Sequence, residues 1–399
     1  MLKELSPFGR SPEGRKKLKK KKVFVGMSGG VDSSVAALIL KNKGYDVVGV
    51  FMRCYDSKDG CSKRDSRDAA AVAQKLKIPF YVWDFRKQYE KKVIKYMIDG
   101  YKKGLTPNPD VMCNKEIKFG LFLERALKLG ADYVATGHYV RLKIANYKLQ
   151  NSSKNNLQSC NTAILQLSQA KDKNKDQSYF LWTLTQKQLI HCLFPIGDYL
   201  KPQVRKIAKA AGLITADKKD SQGVCFLGKI KIKDFLKKYI PKKKGKILDF
   251  EGNIIGEHSG VQFYTIGQRH ISAKIQFPSA NRRTKSQKDR QPYYVAKKNK
   301  KTNTLVIVEG SENSALYKKE VELINVNFSS EKLKVKNKKS KIPVMARVRY
   351  RQPLFHASLT IDKSSFKLVF TKPVKFVAPG QSAVLYNKKG ALLGGGVII

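Results

Sequence analysis

Short apolar runs alternate with segments of helical periodicity in the first half of the chain. The apolar runs predict buried strands at residues 23–27, 46–52, 80–83 and 133–136. The periodic segments between them predict helices at residues 33–43, 65–76 and 115–129. Strands that alternate with helices favour a parallel sheet covered on both faces, as in nucleotide-binding domains. The sequence therefore predicts the α/β class, with a nucleotide-binding domain over residues 23–226.

The pattern changes to short strands with Gly and Pro turns from about Gly245 onward. Strands of this kind predict small β-rich, barrel-like domains. We place a central one at residues 227–288 and a C-terminal one at residues 289–399. A polar, basic stretch at residues 279–290 links the two.

Three further segments have a recognisable pattern. Residues 1–22 form a basic tail without an apolar h-region, which argues against a secretory signal. The tail is Lys-rich rather than Arg- and Ser-rich, so it supports a mitochondrial presequence only weakly. Residues 142–162 are rich in Asn, Ser and Lys and predict a surface insertion. Residues 201–211 predict a helix with Pro202 in its first turn and Gly212 at its end.

Basic residues greatly outnumber acidic ones. Lys and Arg total 80 and Asp and Glu total 31, so the formal net charge is +49. Such a surface attracts polyanions, of which nucleic acid is the commonest in a cell. A genomic bias towards Lys explains the charge at least as well, so the charge alone does not establish an RNA partner. No run of 18 or more apolar residues is present, and we expect a cytoplasmic protein without a membrane span.

The strongest local signal lies between the first predicted strand and the first predicted helix. It is the run Gly26, Met27, Ser28, Gly29, Gly30, Val31, Asp32, Ser33 and Ser34. Glycines let the backbone approach phosphate oxygens closely, and the following helix adds the positive end of its dipole. The Lys of a Walker A loop is absent. We interpret the run as a phosphate-binding loop; a glycine turn with a serine helix cap is the structural alternative.

Three residues of this region have predicted roles around a bound nucleotide. Asp32 would repel bare phosphate, so we expect it to face a magnesium ion. Ligands of open parallel sheets bind outside the carboxyl ends of the strands. Met52 ends the second predicted strand and Gly137 follows a later one, so both are candidates for lining an adenine pocket. Each of these two, taken alone, would also suit a core Met or a turn Gly.

Two of the cysteines stand where a reactive thiol is expected. The six cysteines lack the paired CxxC spacing of a zinc site, so no metal is predicted. Cys113 lies just before a predicted helix, with Asp110 placed to move a proton and Lys115 to stabilise a thiolate. Cys225 lies in a stretch without clear periodicity, and an exposed loop thiol can accept and pass on sulfur. Packing in a core is the alternative for both. The other four, which we interpret as structural, are Cys54, Cys61, Cys160 and Cys192.

Several motifs together resemble one family. The phosphate loop resembles the PP-loop of ATP pyrophosphatases, which cut ATP between its α- and β-phosphates. It is followed in order by the run around Cys113, residues 175–181, the run around Cys225, and residues 265–269. These motifs resemble the tRNA-specific 2-thiouridylase family, and the match extends from residue 23 over nearly the whole remaining chain. The tail, the insertion, the basic link and the pair His270 and Ile271 depart from the family pattern.

The resemblance implies a PP-loop domain followed by two small β-rich domains, and it implies a reaction. ATP held by the loop, Met52 and Gly137 would adenylate O2 of the wobble uridine (position 34), extruded from its stack, and pyrophosphate would leave. Cys225 would carry a persulfide whose terminal sulfur goes to C2, and Cys113 would be the nucleophile. AMP would be released, and a Cys113–Cys225 disulfide would remain to be reduced before the next turnover.

The resemblance also implies contacts with transfer RNA. The family's target-base residues match Asn108, Pro109 and Asp110. Its other tRNA-contacting positions match His138, Lys175, Asp176, Gln177, Arg349, Tyr350 and Gln381. The family implies tRNAs for Lys, Glu and Gln as substrates, and a cysteine desulfurase or a sulfur-relay protein as the persulfide donor.

One RNA-binding feature does not depend on the family. The strand period of two in residues 344–351 puts Arg347, Arg349 and Arg351 on one face and apolar residues on the other. A ridge of arginines suits a phosphate backbone, because each guanidinium offers a planar fork of donors. A solvated face is an equally good interpretation.

Two other functions are compatible with parts of the sequence. A different PP-loop ligase, such as a lysidine synthetase or an amidotransferase-type synthetase, would attach nitrogen and would not need Cys113 and Cys225. A non-catalytic RNA-binding protein with a decayed nucleotide site is the alternative from another class. The complete phosphate loop argues against decay.

Overall fold

The structure is a computed structural model that describes most of the chain. The described residues are 20–56, 60–145, 164–220, 232–271, 275, 291–329, 340–362 and 365–399. Residues 1–19 of the predicted tail, Cys160, Cys225, the basic link and most of the predicted insertion fall outside these residues. Lys22, predicted to end the tail, is the first residue of a strand.

The first unit is built on a parallel sheet. Its strands are β1 (Lys22–Gly26), β2 (Asp46–Arg53), β3 (Phe80–Asp84) and β4 (Tyr133–Thr136), followed by the hairpin strands β5 (Val140–Ala145) and β6 (Ile164–Gln169), and by β7 (Cys192–Leu193). The parallel sheet has the order β3-β2-β1-β4-β7, whereas β5 and β6 pair only with each other. Residues 142–145 therefore belong to a strand, and the predicted surface insertion begins too early.

Helices cover both faces of this sheet. The helices of this unit are α1 (Val31–Asn42), α2 (Cys61–Lys75), α3 (Arg86–Tyr89), α4 (Lys95–Lys102), α5 (Pro109–Cys113), α6 (Phe122–Lys128), α7 (Gln186–Leu189) and α8 (Lys201–Ala210). A ninth helix, α9 (Ile232–Leu236), follows the unit and leads to the β-rich part of the chain. Two π-helical segments, Glu90–Ile94 and Asn114–Leu121, join α3 to α4 and α5 to α6. The predicted helix at 115–129 is thus the second part of a longer one.

Apolar side chains pack on both faces of the sheet, because consecutive strand residues point to opposite sides. On β1, Val23 and Val25 pack with α1, α2 and α8, whereas Phe24 packs with the helices of residues 85–128. The predicted α/β fold is confirmed. No helix in these stretches of the chain is long and apolar enough to cross a membrane.

Two β-rich units follow. The second unit contains β8 (Gly245–Leu248), β9 (Ile254–His258), β10 (Tyr293–Asn299) and β11 (Thr304–Glu309), in the order β10-β11-β8-β9. The predicted boundary between residues 288 and 289 is wrong, since strands on both sides of it share this sheet. Sequence periodicity marks strands but does not show which strands pair.

The third unit is the closed barrel β12-β15-β14-β13-β16-β17. Its strands are β12 (Tyr317–Phe328), β13 (Ser340–Arg347), β14 (Phe355–Asp362), β15 (Ser365–Lys375), β16 (Ser382–Tyr386) and β17 (Leu392–Ile398). Closure leaves no strand edge unpaired, and the barrel holds its own apolar core. The expectation of a barrel at the C-terminal end is confirmed.

Candidate active site

The phosphate loop joins β1 to α1 at the carboxyl edge of the parallel sheet. The Ser28 backbone N–H donates to Ser33 Oγ at 3.1 Å, and Ser33 Oγ donates to the Gly30 carbonyl at 3.1 Å. Ser34 Oγ donates to the same carbonyl at 2.9 Å. These bonds curl the loop over the first turn of α1. The serine hydroxyls predicted to reach a ligand therefore also hold the shape of the loop.

Two glycines are required by close backbone contacts. Gly29 has φ +72°, and a Cβ there would lie 2.2 Å from the Asp65 carbonyl oxygen on α2. A Cβ on Gly137 would lie 2.6 Å from the Ser33 backbone nitrogen. The turn after β4 is thus pressed against the beginning of α1. Gly137 therefore stands beside the phosphate loop, and its role in lining an adenine pocket stays a prediction.

The loop offers hydrogen-bond donors to an anion. The first N–H groups of a helix have no partner within the helix, and no side chain caps α1 at Gly30. Uncapped N–H groups and the helix dipole favour bound phosphate. Met52 lies beside Gly26, the first residue of the loop, since its Cε would be 2.9 Å from a Cβ there. The predicted loop residues and Met52 are therefore brought together, and the residues present fit a nucleotide.

Asp32 does not stand free for a metal ion. Lys201 Nζ lies 2.8 Å from each of its carboxylate oxygens, and the Tyr139 hydroxyl donates to Oδ1 at 2.8 Å. Burial and the neighbouring Asp32 carboxylate raise the pKa of Tyr139, so its hydroxyl remains a donor. Within the described part of the chain, no group of three or more His, Cys, Asp or Glu side chains could hold a metal ion. The prediction that Asp32 faces magnesium is not supported by this arrangement.

Cys113 is the last residue of α5, and its position depends on the cap of that helix. Asn108 Oδ1 accepts hydrogen bonds from the backbone N–H groups of Asp110 and Val111 at 3.1 and 3.2 Å. Pro109 occupies the first turn, where its missing N–H costs nothing. Cys113 itself is 7% exposed and packs in the core below the sheet. Its predicted approach to Cys225 remains a prediction, because Cys225 lies outside the described residues.

The turn that leads to α5 is where the three units meet. Thr106, in the first unit, is bonded through its side-chain hydroxyl to Thr265 of the second unit at 3.3 Å. The Thr106 N–H donates to the Pro379 carbonyl of the third unit at 2.8 Å. Gln381 Nε2 donates to the Thr106 carbonyl at 2.9 Å. Gln381, predicted to contact tRNA, therefore supports the turn that precedes Asn108.

Two other predicted tRNA contacts are buried. His138 is 6% exposed, and its Nδ1 lies 2.8 Å from Thr136 Oγ1. Burial, together with the charge of Lys118, holds the pKa of His138 well below its usual value, so the ring is neutral. Asp176 is 2% exposed and pairs with Arg347 at 2.7 Å. Both side chains serve the interior of the protein in this structure.

The remaining predicted tRNA contacts lie nearer the surface. Gln177 Oε1 accepts from the Tyr139 N–H at 2.9 Å, and Lys175 Nζ pairs with Asp220 at 2.6 Å. The Tyr350 ring is half-buried and packs on Phe180, with ring centroids 4.5 Å apart. An aromatic pair of this kind can stack a base.

The predicted ridge of arginines is wrong. Strand β13 ends at Arg347, so the period of two does not continue to Arg349 and Arg351. Arg347 turns inward to Asp176, and Arg349 Nε donates to the Phe376 carbonyl at 2.9 Å. Arg351 has φ +67°, which belongs to a turn. Arg349 therefore joins backbone segments in this structure, instead of lining a strand face.

The patterns in the sequence do not reveal a group of charged residues beside the phosphate loop. Lys201 pairs with Asp220 at 2.9 Å as well as with Asp32. Lys218 Nζ donates to the Gly29 carbonyl at 3.0 Å and to Asp65 at 2.7 Å. One signal was available: Lys201 is the first residue of α8, where the helix dipole disfavours a cation. A cation in that place needs another partner.

Three family models match the chain and define its class. The tRNA methyl transferase HUP domain matches residues 21–229, the tRNA methyl transferase PRC-barrel domain residues 233–309, and the aminomethyltransferase β-barrel domain residues 318–398. The protein is therefore one in which a HUP domain, whose fold fits nucleotide binding, precedes two β-rich domains.

Close relatives identify the family. The tRNA-specific 2-thiouridylase MnmA of Bacillus cytotoxicus (strain NVH 391-98) is 42% identical over 376 residues, which cover 92% of this chain and 91% of the relative. That of Streptococcus pyogenes serotype M1 is 42% identical over 382 residues, covering 94% and 95%. The chain belongs to the tRNA-specific 2-thiouridylase family.

Two solved structures show a distant similarity. The U34-tRNA thiolase NcsA of Methanococcus maripaludis, with its [4Fe-4S] cluster, has a TM-score of 0.33 and 17% identity, covering 57% of this chain and 70% of that one. An NMN synthetase of Francisella tularensis has a TM-score of 0.31 and 15% identity, covering 51% and 66%. Both similarities are too distant to inform the site.

Proposed function

We propose that this chain is a tRNA 2-thiouridylase that uses ATP to activate the wobble uridine. The observation that carries the proposal is the uncapped glycine loop between β1 and α1, in a chain of the 2-thiouridylase family. Its N–H groups would bind phosphate oxygens, with Met52 and Gly137 beside the adenine. Bound ATP would supply the AMP group that turns O2 of uridine into a leaving group.

The residues around α5 would then handle the base and the sulfur. The turn Asn108–Asp110 would hold the extruded uracil, and Asp110 would move a proton. The terminal sulfur of a Cys225 persulfide would bond to C2 as AMP leaves. The Cys113 thiolate would attack the Cys225 sulfur, which leaves C2=S on the tRNA and a Cys113–Cys225 disulfide. An external thiol reductant would return both thiols.

Magnesium would enter with the nucleotide and be held mainly by phosphate oxygens, as is usual for this ion. Asp32 offers it at most one carboxylate, and only when Lys201 releases that group. We therefore assign no separate magnesium site to the protein.

The partners in this proposal follow from the family. The substrates would be tRNAs for Lys, Glu and Gln, and the sulfur would come from a cysteine desulfurase or a relay protein. The side chains of Lys175 and Tyr350, which are partly exposed, are among the predicted tRNA contacts. We propose that the reaction takes place in the cytoplasm, where these tRNAs are used.

Reconstitution with labelled sulfur tests the proposal. Purified protein, ATP, magnesium, unmodified tRNA and a desulfurase charged with ³⁵S-cysteine should give labelled 2-thiouridine at position 34, with one pyrophosphate released per sulfur. Cys113→Ser and Cys225→Ser should each abolish labelling, because each removes one sulfur of the transfer. Both variants should still bind tRNA, since thiols contribute little to phosphate contacts.

A control variant and a second measurement separate this proposal from the alternatives. Cys192→Ser is the matched variant, since Cys192 is buried, donates to the Gln188 carbonyl at 3.0 Å and should not affect labelling. A Cys113–Cys225 disulfide should be found by peptide mass spectrometry after a single turnover without reductant. Incorporation of an amino acid or a methyl group in place of sulfur would disprove the proposal.

A further inference from the structure

A buried ammonium group lies beside the phosphate loop, and the reaction proposed above does not yet use it. Lys201 Nζ is 2.8 Å from both carboxylate oxygens of Asp32 and 2.9 Å from Asp220 Oδ1. Its side chain is only 10% exposed. Its backbone N–H donates to Asp172 Oδ2 at 2.9 Å, which fixes the first residue of α8. Hydrogen bonds therefore hold both the backbone N–H and the ammonium group of Lys201 in place.

Lys201 shares its carboxylate partners with other cations. Asp220 also pairs with Lys175 at 2.6 Å and with Arg205 at 2.9 Å. Lys175, Lys201 and Arg205 thus share the carboxylates of Asp32 and Asp220, and the Asp172 carboxylate is a third anion beside Lys201. Burial alone would raise the pKa of Asp220, but hydrogen bonds from Lys175 and Lys201 outweigh it and lower the pKa to about 2. Asp220 is therefore an anion at every working pH and keeps the cations in place.

The Lys201 ammonium lies beside the first turn of α1, which the phosphate loop precedes. Asp32 is the second residue of α1, within the turn whose N–H groups no side chain caps. The ammonium that touches Asp32 is consequently next to those N–H groups. The loop has no lysine of its own, and bound polyphosphate needs a cation to offset its charge.

We propose that Lys201 is the cation that binds the two phosphates leaving as pyrophosphate, and that Asp220 is the residue that positions it. The proposal rests on the proposed ATP-dependent function and adds a residue to it. Before binding, Asp32 holds the ammonium at the site. When polyphosphate binds, the Lys201 ammonium leaves Asp32 and donates to the phosphate oxygens. Asp32 keeps the hydrogen bond from the Tyr139 hydroxyl at 2.8 Å.

Ligands that differ in their phosphates separate this role from a structural one. Pyrophosphate, ATP and AMP are titrated into the full-length protein by calorimetry, in a magnesium buffer. In Lys201→Gln we expect the affinities for ATP and pyrophosphate to fall by about 10- to 100-fold, the effect of losing one charge-assisted hydrogen bond. The affinity for AMP should change by less than about twofold, because AMP lacks the two phosphates in question.

Two variants control the comparison. Lys209→Gln removes the same charge from the same helix, but Lys209 is 61% exposed and pairs with Asp217. It should bind all three ligands as the unchanged protein does. Lys201→Arg keeps the charge and should recover most of the lost pyrophosphate affinity. If Lys201→Gln fails to fold, Lys201→Arg provides a folded variant. Equal losses of pyrophosphate affinity in Lys201→Arg and in Lys209→Gln would overturn the assignment.

The remaining outcomes are also decisive. If Lys201→Gln lowered the affinities for AMP and ATP by the same factor, the lysine would only hold the loop in shape. That result would overturn the inference. Unchanged affinities would overturn it as well, and in both cases the proposed function would stand. If the unchanged protein bound neither ATP nor pyrophosphate, the proposed function would fail and this inference with it.

Discussion

Gly29 shows at the scale of a residue why the phosphate loop tolerates no side chain. Its φ of +72° is a left-handed conformation, and the Asp65 carbonyl lies where a Cβ would be. Gly44 has a similar φ of +84° but has nothing within 4 Å of its Cβ position. An alanine at either position would therefore have the same backbone strain, but only an alanine at Gly29 would also clash with a neighbouring residue.

This difference makes a prediction. Gly44→Ala should lower the free energy of unfolding by about 1–2 kcal/mol, the cost of a left-handed L-residue. Gly29→Ala should lower it by about 2–5 kcal/mol, because overpacking against α2 adds to that strain. It should also abolish nucleotide binding, which Gly44→Ala should leave intact. Denaturant unfolding and ATP titration of the two variants measure both effects, and equal losses in the two would contradict the prediction.

The need for glycine in the phosphate loop was predictable, but its neighbour was not. The run Gly26–Ser34 predicts a close backbone approach from its composition alone. That α2 supplies the carbonyl beside Gly29 depends on how two helices pack, which no local pattern encodes. Lys201 shows the same limit, since its partner Asp32 is far away in sequence.

Helix α5 is the element on which the position of Cys113 depends. It continues through the π-helical segment Asn114–Leu121 into α6. The apolar period predicted only the later part of this helix, because the Asn-Pro pair at its start resembles a turn. That pair is instead the cap, with Asn108 accepting the first N–H groups and Pro109 in the first turn.

The cap can be separated from the predicted contact with the base. Asn108→Ala should cost about 1 kcal/mol of stability, since two helix N–H groups lose their acceptor. Asn108→Asp keeps the acceptor and should retain stability. Both variants lose the side-chain amide, so both should lose 2-thiouridine formation if Asn108 contacts the uracil. Thermal unfolding measures the loss of stability, and the ³⁵S assay measures the loss of 2-thiouridine formation. Full activity in Asn108→Asp would mean that Asn108 caps α5 and does not contact the uracil.

At the scale of the whole molecule, a buried ion pair joins the first and third units. Arg347 on β13 and Asp176 are 4% and 1% exposed at their side chains and lie 2.7 Å apart. The Tyr386 hydroxyl lies 2.7 Å from the same guanidinium nitrogen. Removing one partner of such a pair leaves an uncompensated charge in the interior.

Asp176→Asn should therefore lower the free energy of unfolding by about 3–5 kcal/mol. The double variant Asp176→Leu with Arg347→Met should recover much of that loss, because neither charge remains. Asp217→Asn breaks an exposed pair and should cost less than about 1 kcal/mol. Chemical denaturation compares the three. A stable Asp176→Asn protein with weakened tRNA affinity would show that Asp176 contacts tRNA, as the family resemblance implies.

Interfaces between the units account for most of what the sequence does not predict. The α/β class, the phosphate loop and the C-terminal barrel follow from periodicity and motifs. The alternation in residues 344–348 is also visible, but Arg347 faces Asp176 instead of solvent. A strand pattern shows which residues share a face and cannot show whether another unit covers that face. The boundary at residue 288 failed because a strand pattern does not show which strands pair with one another.

The contacts at Thr106 limit how the protein can be truncated into smaller fragments. A fragment that ended at residue 220 would lose Thr265 and Gln381, and so would expose a backbone turn that both now hold. The same cut would leave the Asp176 carboxylate without its guanidinium. Biochemists should therefore not expect the N-terminal portion to serve as a minimal catalyst, however complete its motifs look, and chimaeras should exchange all three portions together.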